Sequence, residues 1–137
     1  MKNINGKVVL DDLSEVLDPS HTALIVIDMQ NDFCDPDGLF AQSGMNVTSL
    51  QSLLPHLAKF ARQARKAGIM VLHTQNTTLP NGASDSPAWL KTKARACKDP
   101  EYTLDGSWGQ AFCAGMEPLK NEAVIKKNRS SGFINTN

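Results

Sequence analysis

A chain of 137 residues has room for one domain and no more. Its 14 Lys and Arg balance 14 Asp and Glu, so the basic footprint of a nucleic-acid binder is missing, and a small neutral or weakly charged ligand is the better fit. No apolar run is long enough to cross a bilayer, residues 1–20 offer only Val8-Val9-Leu10 in place of a signal-peptide core, and the widely spaced Cys34, Cys97 and Cys113 form no zinc pattern; no membrane contact is expected, and the expectation is a cytoplasmic protein with reduced thiols.

Residues 1–20 mix polarities, carry the acidic run Asp11-Asp12-Leu13-Ser14-Glu15, end at Pro19 and read as a surface N-terminal arm. Ala23-Leu24-Ile25-Val26-Ile27 follows without polar alternation, the pattern of a parallel strand covered on both faces and central in its sheet. The run closes on Asp28. Ligands of open parallel sheets bind just outside the carboxyl ends of strands, which makes Asp28 the first site candidate. The alternative is a turn residue capping the next loop, a reading that suits Asp32 better. Pro36, Gly38 and Gly44 mark residues 35–45 as loop, and Thr48-Ser49-Leu50-Gln51 matches a capping box, so a helix begins near there.

Leu50, Leu53, Leu54, Leu57, Ala61 and Ala64 recur at helical spacing, with Lys59, Arg62, Gln63, Arg65 and Lys66 between them. Pro55 either separates a first turn from the helix or kinks it, and Gly68 is the natural stop. Residues 69–74 form a second apolar run; strand, helix, strand in this order predicts a βαβ unit with parallel strands. Gln75 and Asn76 then share the rim of Asp28, where a side-chain amide can orient a substrate carbonyl, although Asn is also favoured in turns. Residues 77–87 are a loop over that rim. Trp89 and Trp108 suit a pocket lining or a packing role equally, and residues 91–98 are locally basic and read as a solvated face. A third, shorter strand at 123–125 precedes Lys126 and Lys127, and strand-end lysines are ordinarily solvated.

Taken together, ALIVIDMQNDF, ARKAG, IMVLHTQN, LDGSWGQAF and IKKNRSSGF, in this order from about His21 to the last residue, resemble the isochorismatase-like cysteine hydrolases. That group includes nicotinamidases, N-carbamoylsarcosine amidases and ureidoacrylate amidohydrolases. The resemblance implies an α/β fold with a doubly wound, Rossmann-like, mostly parallel sheet inside a three-layer α/β/α domain. It also implies an Asp, Lys and Cys triad, in which Asp28 matches the Asp and Lys127, rather than Lys126, matches the Lys by its distance from Ser131-Gly132-Phe133. Gln30, Phe33 and Asn76 are the substrate-binding candidates. In such a triad the carboxylate takes the thiol proton and the ammonium lowers the thiol pKa; thiolate attack on an amide carbon gives a thioester, which water hydrolyses.

Neither Cys34, Cys97 nor Cys113 matches the family nucleophile, which lies downstream of Ser131-Gly132-Phe133. Residues 1–137 are therefore expected to be a single hydrolase domain incomplete at its C-terminal end. The missing Cys, and the strand beyond residues 23–27, would come from a C-terminal polypeptide or a second chain, and a homo-oligomer is expected. His73-Thr74-Gln75-Asn76-Thr77-Thr78-Leu79 holds one His where nicotinamidases place a two-His metal site, so neither metal nor cofactor is expected. The ureidoacrylate or N-carbamoyl branch, with a small ureido or N-carbamoyl substrate, is favoured, although Ser130 stands where that branch often has Tyr. The alternatives are a catalytically incomplete binding or assembly module on the same scaffold and an isochorismatase-type vinyl ether hydrolase.

Overall fold

The structure, a computed structural model, describes residues 1–134 and 136. Its N-terminal arm is more regular than composition suggested. Strands β1 (Lys2–Ile4) and β2 (Lys7–Val9) pair antiparallel across Asn5-Gly6. Both turn residues take positive φ, 52° and 77°, the backbone of a two-residue type I′ hairpin, which Asn-Gly adopts at least cost. A short helix α1 (Leu13–Val16) follows.

Three parallel strands make the main sheet: β3 (Ala23–Ile27), β4 (Met70–Asn76) and β5 (Ala123–Lys127), in the order β3-β4-β5. Short helices α2 (Asn31–Cys34) and α3 (Leu39–Gln42) leave β3, and α4 (Thr48–Lys66) returns the chain to β4. The parallel pair joined by a helix is the expected unit, within the α/β class. Strands β4 and β5 each run two residues past the apolar pattern, which carries Asn76 and Lys127 into the ladder.

Helix α4 is one element with Pro55 inside it, so residues 48–54 are not a separate turn. Thr48 is its first helical residue rather than its cap. Val47 holds the cap position, and Asn46 Oδ1 accepts the Thr48 N–H at 3.0 Å, so the side-chain cap comes from two residues before the expected one. At the other end Gly68, at φ 79°, lets its own N–H reach Arg65 O and that of Ile69 reach Ala64 O, a Schellman closure of the last carbonyls.

The buried stripe of α4, Ala58, Ala61 and Ala64 with Leu50, Leu54 and Leu57 beside it, packs with Val26 and Val71 into the core that also holds Cys34, Cys113 and Met116. Alternation along the strands therefore gives the sheet two unlike faces. Leu24, Val26 and Val71 face α4. Ala23, Ile25, Ile27, Met70 and Ala123 lie in register on the opposite face and are exposed, Ile25 at 47% and Ile27 at 58%. Among the described residues one of the two expected covers of β3 is present. Strand β4 is the central one, and among the described residues β3 is an edge strand covered on one face, because no described element lies on its other face or along its outer edge. None of the described helices is long and apolar enough to cross a membrane.

Candidate active site

Each strand of the main sheet contributes one side chain at its carboxyl end. Asp28, the residue after β3, is held at φ 52°, and its N–H continues the ladder to Thr74 O at 3.2 Å. That left-handed step turns its carboxylate back over the sheet. Oδ1 accepts Thr74 Oγ1 of β4 at 2.7 Å, and Oδ2 accepts Lys127 Nζ of β5 at 2.6 Å. Lys127 is buried, so the expectation of a solvated strand-end lysine does not hold for it. The pair joins residues 99 apart in sequence, which only the parallel register brings together.

Asp28 and Lys127 open into a cavity of about 280 Å³, whose lining also includes Phe33 and Asn76. Four of the five sequence candidates thus meet in one place. Phe33 stands with Phe40 and Tyr102 in mutual edge-to-face contact, ring centroids 4.8 to 5.6 Å apart, as the apolar wall. Asn76 donates through Nδ2 to Thr103 Oγ1 at 2.8 Å, which fixes the amide with its oxygen free of protein hydrogen bonds among the described residues.

Gln30 is the exception. It is fully buried outside the lining: its amide nitrogen donates to Asn76 O and Gln110 O, and its oxygen accepts the Asn76 N–H at 2.7 Å. Its hydrogen-bonding capacity is spent on the main chain at Asn76 and Gln110, so it positions Asn76 rather than meeting a ligand. Asp32 is structural as its turn reading implied. Its carboxylate accepts the N–H groups of Leu39 and Thr103, and Gly109 passes so close that a Cβ there would overlap it.

The rest of the cavity comes from the segment read as a basic solvated face. A 3₁₀ turn (Pro80–Gly82) leads into α5 (Pro87–Ala96), capped by Ser86. Lys93 of this helix is 3% exposed, against expectation. Its ammonium donates to Asp85 Oδ2 at 3.0 Å and Thr78 Oγ1 at 3.1 Å and sits 4.5 Å from the centre of the Tyr102 ring. Burial, with Cys97 and Asp85 nearby, pushes the Tyr102 hydroxyl up to about 12, so this ring is no base at neutral pH. A signal was present in the sequence: Leu90, Lys93 and Cys97 recur at helical spacing on one stripe, and that stripe faces inward. Trp89 lines the cavity, while Trp108 is exposed away from it.

No group of three His, Cys, Asp or Glu able to hold a metal occurs among the described residues. His73 points to the α4 side of the sheet, where Nε2 lies 3.1 Å from Glu122, itself gripped by Arg65 at 2.6 and 2.8 Å. That guanidinium, opposed by burial, holds the Glu122 carboxyl down at about 2. Cys34, Cys97 and Cys113 are all buried free thiols, and none lines the cavity. Contact with Cys34 and burial push the Cys113 thiol up, and burial does the same to Cys97.

The chain is similar to known proteins over most of its length. The family model described as the isochorismatase domain matches residues 22–137. A ureidoacrylate amidohydrolase, RutB, of Methylobacterium radiotolerans is 35% identical over 144 residues, covering 96% of this chain and 56% of its own length. Among solved structures, an isochorismatase family protein from Desulfovibrio vulgaris superposes with a TM-score of 0.65 at 28% identity, over 84% of this chain and 56% of that one. An N-carbamoylsarcosine amidase from Thermoplasma acidophilum shares the fold, with a TM-score of 0.59 at 19% identity, over 84% of this chain and 56% of its own. The chain thus spans little more than half the length of these relatives.

Proposed function

The chain belongs to the isochorismatase domain family, and on that footing we propose that it carries the Asp and Lys of a cytoplasmic cysteine amidohydrolase acting on the linear amide C–N bond of a small ureido or N-carbamoyl substrate. The observation that carries the reading is the 2.6 Å contact between Lys127 Nζ and Asp28 Oδ2 in a cavity at the carboxyl ends of three parallel strands. The relatives named as ureidoacrylate amidohydrolases support the substrate class.

In this reading the nucleophilic thiol comes from polypeptide beyond residues 1–137. That polypeptide also covers the bare face of Ala23, Ile25, Ile27 and Met70 and pairs with the open edge of β3; burying such a face removes apolar surface from water at about 25 cal/mol per Å². Asp28 takes the thiol proton, and the thiolate attacks the substrate carbonyl carbon. The C–N bond then breaks as the same proton passes to the departing nitrogen, leaving a carbamoyl thioester, in which the carbonyl carbon keeps its second nitrogen. Water attacks that thioester, giving its proton to Asp28, and the thiol is restored as the acid leaves. Asn76, with its free amide oxygen, holds the substrate N–H groups, and the Lys127 ammonium stabilises the thiolate.

A second reading is favoured by the three buried cysteines: residues 1–137 alone form a binding or assembly module without a nucleophile. One experiment separates the two. Ammonia release from a ureido acid is measured with the whole gene product and with residues 1–137 alone, and the acyl-enzyme is sought by mass spectrometry. The expected result is turnover and a trapped thioester on a cysteine outside residues 1–137, with neither in the isolated chain. Turnover by residues 1–137 with Cys34, Cys97 and Cys113 all replaced by Ser would overturn the proposal.

A further inference from the structure

The cavity holding Asp28 and Lys127 carries three cationic side chains, Lys93, Lys127 and Arg129, against two carboxylates, Asp28 and Asp85. Each carboxylate already has its own lysine, at 2.6 and 3.0 Å. Arg129 is the charge left over. Its Nη1 donates to the main-chain carbonyls of Ser84 and Asn128, and among the described residues it forms no ion pair. Those neutral acceptors fix the head of the side chain across the cavity mouth, from the loop after β5 to the loop before α5, without cancelling its charge. Nε and Nη2 have no hydrogen-bond partner among the described residues. These are the two parallel N–H donors that a guanidinium offers a carboxylate.

We propose that Arg129 is a specificity residue of this cavity and binds the carboxylate of a small ureido or N-carbamoyl acid. The identity of the other end of the molecule rests on the amidohydrolase reading: the amide lies at Asp28 and Lys127, and the acid reaches Arg129. One residue, Asn128, separates Lys127 from Arg129, so their α-carbons are at most about 7 Å apart, which suits a short acid. Lys93 does not compete for the role. Asp85, Thr78 and the Tyr102 ring already surround its ammonium.

The test uses the whole gene product with two probes of equal shape, 3-ureidopropionate and its neutral amide, and measures binding by calorimetry with propionate as a third probe. The acid is expected to bind at least about tenfold more tightly than the amide, the scale of a charge-assisted hydrogen-bonded pair. Arg129→Gln removes that preference while leaving the affinity for the amide unchanged, and Arg129→Lys restores part of it. Arg129 is exposed at the mouth, so a matching thermal melt confirms that the variant is folded. Equal binding of acid and amide by the unaltered protein, or a preference that survives Arg129→Gln, overturns the inference. If propionate matches the ureido acid and Asn76→Ala changes neither, the carboxylate site stands and the amidohydrolase reading fails. If no probe binds, both fall.

Discussion

The Asp28–Lys127 and Asp85–Lys93 pairs line one cavity, yet the first joins residues 99 apart and the second residues 8 apart. The first exists only once β3, β4 and β5 are in register; the second needs little more than α5 folding against its own cap. Their surroundings differ in the same sense. The Asp28 carboxylate is 21% exposed and open to the cavity, whereas that of Asp85 is 3% exposed. Lys93 is enclosed by acceptors and an aromatic face, so its charge is consumed in holding α5 to the exit of β4. The same two residue types thus make a reactive arrangement where the fold leaves one oxygen edge accessible, and a fastening where it leaves none.

Substitutions break the comparison in turn, the largest effect first. Asp28→Asn in the whole protein is expected to lower turnover about 10³-fold, the scale of a lost general acid-base group, with the circular dichroism spectrum unchanged; steady-state kinetics check it. Lys93→Met leaves Asp85 buried without a counter-charge and is expected to cost about 3 kcal/mol in urea unfolding, part of which Asp85→Leu in the same chain restores. Equal sensitivity of both sites to both assays would erase the distinction.

Glu122, on the α4 side of the sheet, sharpens it from outside the cavity. Its carboxyl is held at about 2 against an ordinary 4.5, mainly by Arg65. A depressed carboxyl contributes stability fully above about pH 4.5 and loses it as pH falls toward 2. Thermal melts should therefore drop across that window in the unaltered protein and drop less in Glu122→Gln, which starts about 2 kcal/mol less stable at neutral pH. Smallest is Thr74→Val, which removes one of the two side-chain donors to Asp28. It should slow turnover about fivefold without altering the melt, since one hydrogen bond of about 1 kcal/mol is lost from a carboxylate still held by Lys127.

The legible parts of the fold were those written in periodicity: the apolar runs of β3 and β4, the leucine and alanine stripe of α4 and its glycine stop. In the candidate site, the strand-end rule picked out Asp28 and Asn76, but Lys127 was legible only where whole segments resembled a family, for no spacing rule links Asp28 to Lys127. Lys93 was missed because a lysine among lysines is ordinarily solvated, and its burial depends on Asp85 and Tyr102 lying behind it. Gln30 sat beside the right residues, but its buried position was decided by Gln110 and the Asn76 main chain, 80 and 46 residues away. The uncovered face of β3 ran against its apolar pattern because strand composition reports a preference for cover and cannot say which polypeptide supplies it.

The left-handed backbone at Asp28 restricts the choice of side chain a second time, independently of chemistry. At φ 52° a β-branched or bulky residue pays a steric penalty of about 1–2 kcal/mol, while glycine, asparagine and aspartate are admitted readily. A library randomised at this codon would accordingly sort into three groups: one native residue that folds and reacts, a pair of well-tolerated but inert neighbours in Asn and Gly, and a remainder weakened by geometry before reactivity is ever tested. A carboxylate lengthened by one methylene, as in Asp28→Glu, belongs with that remainder despite keeping its charge.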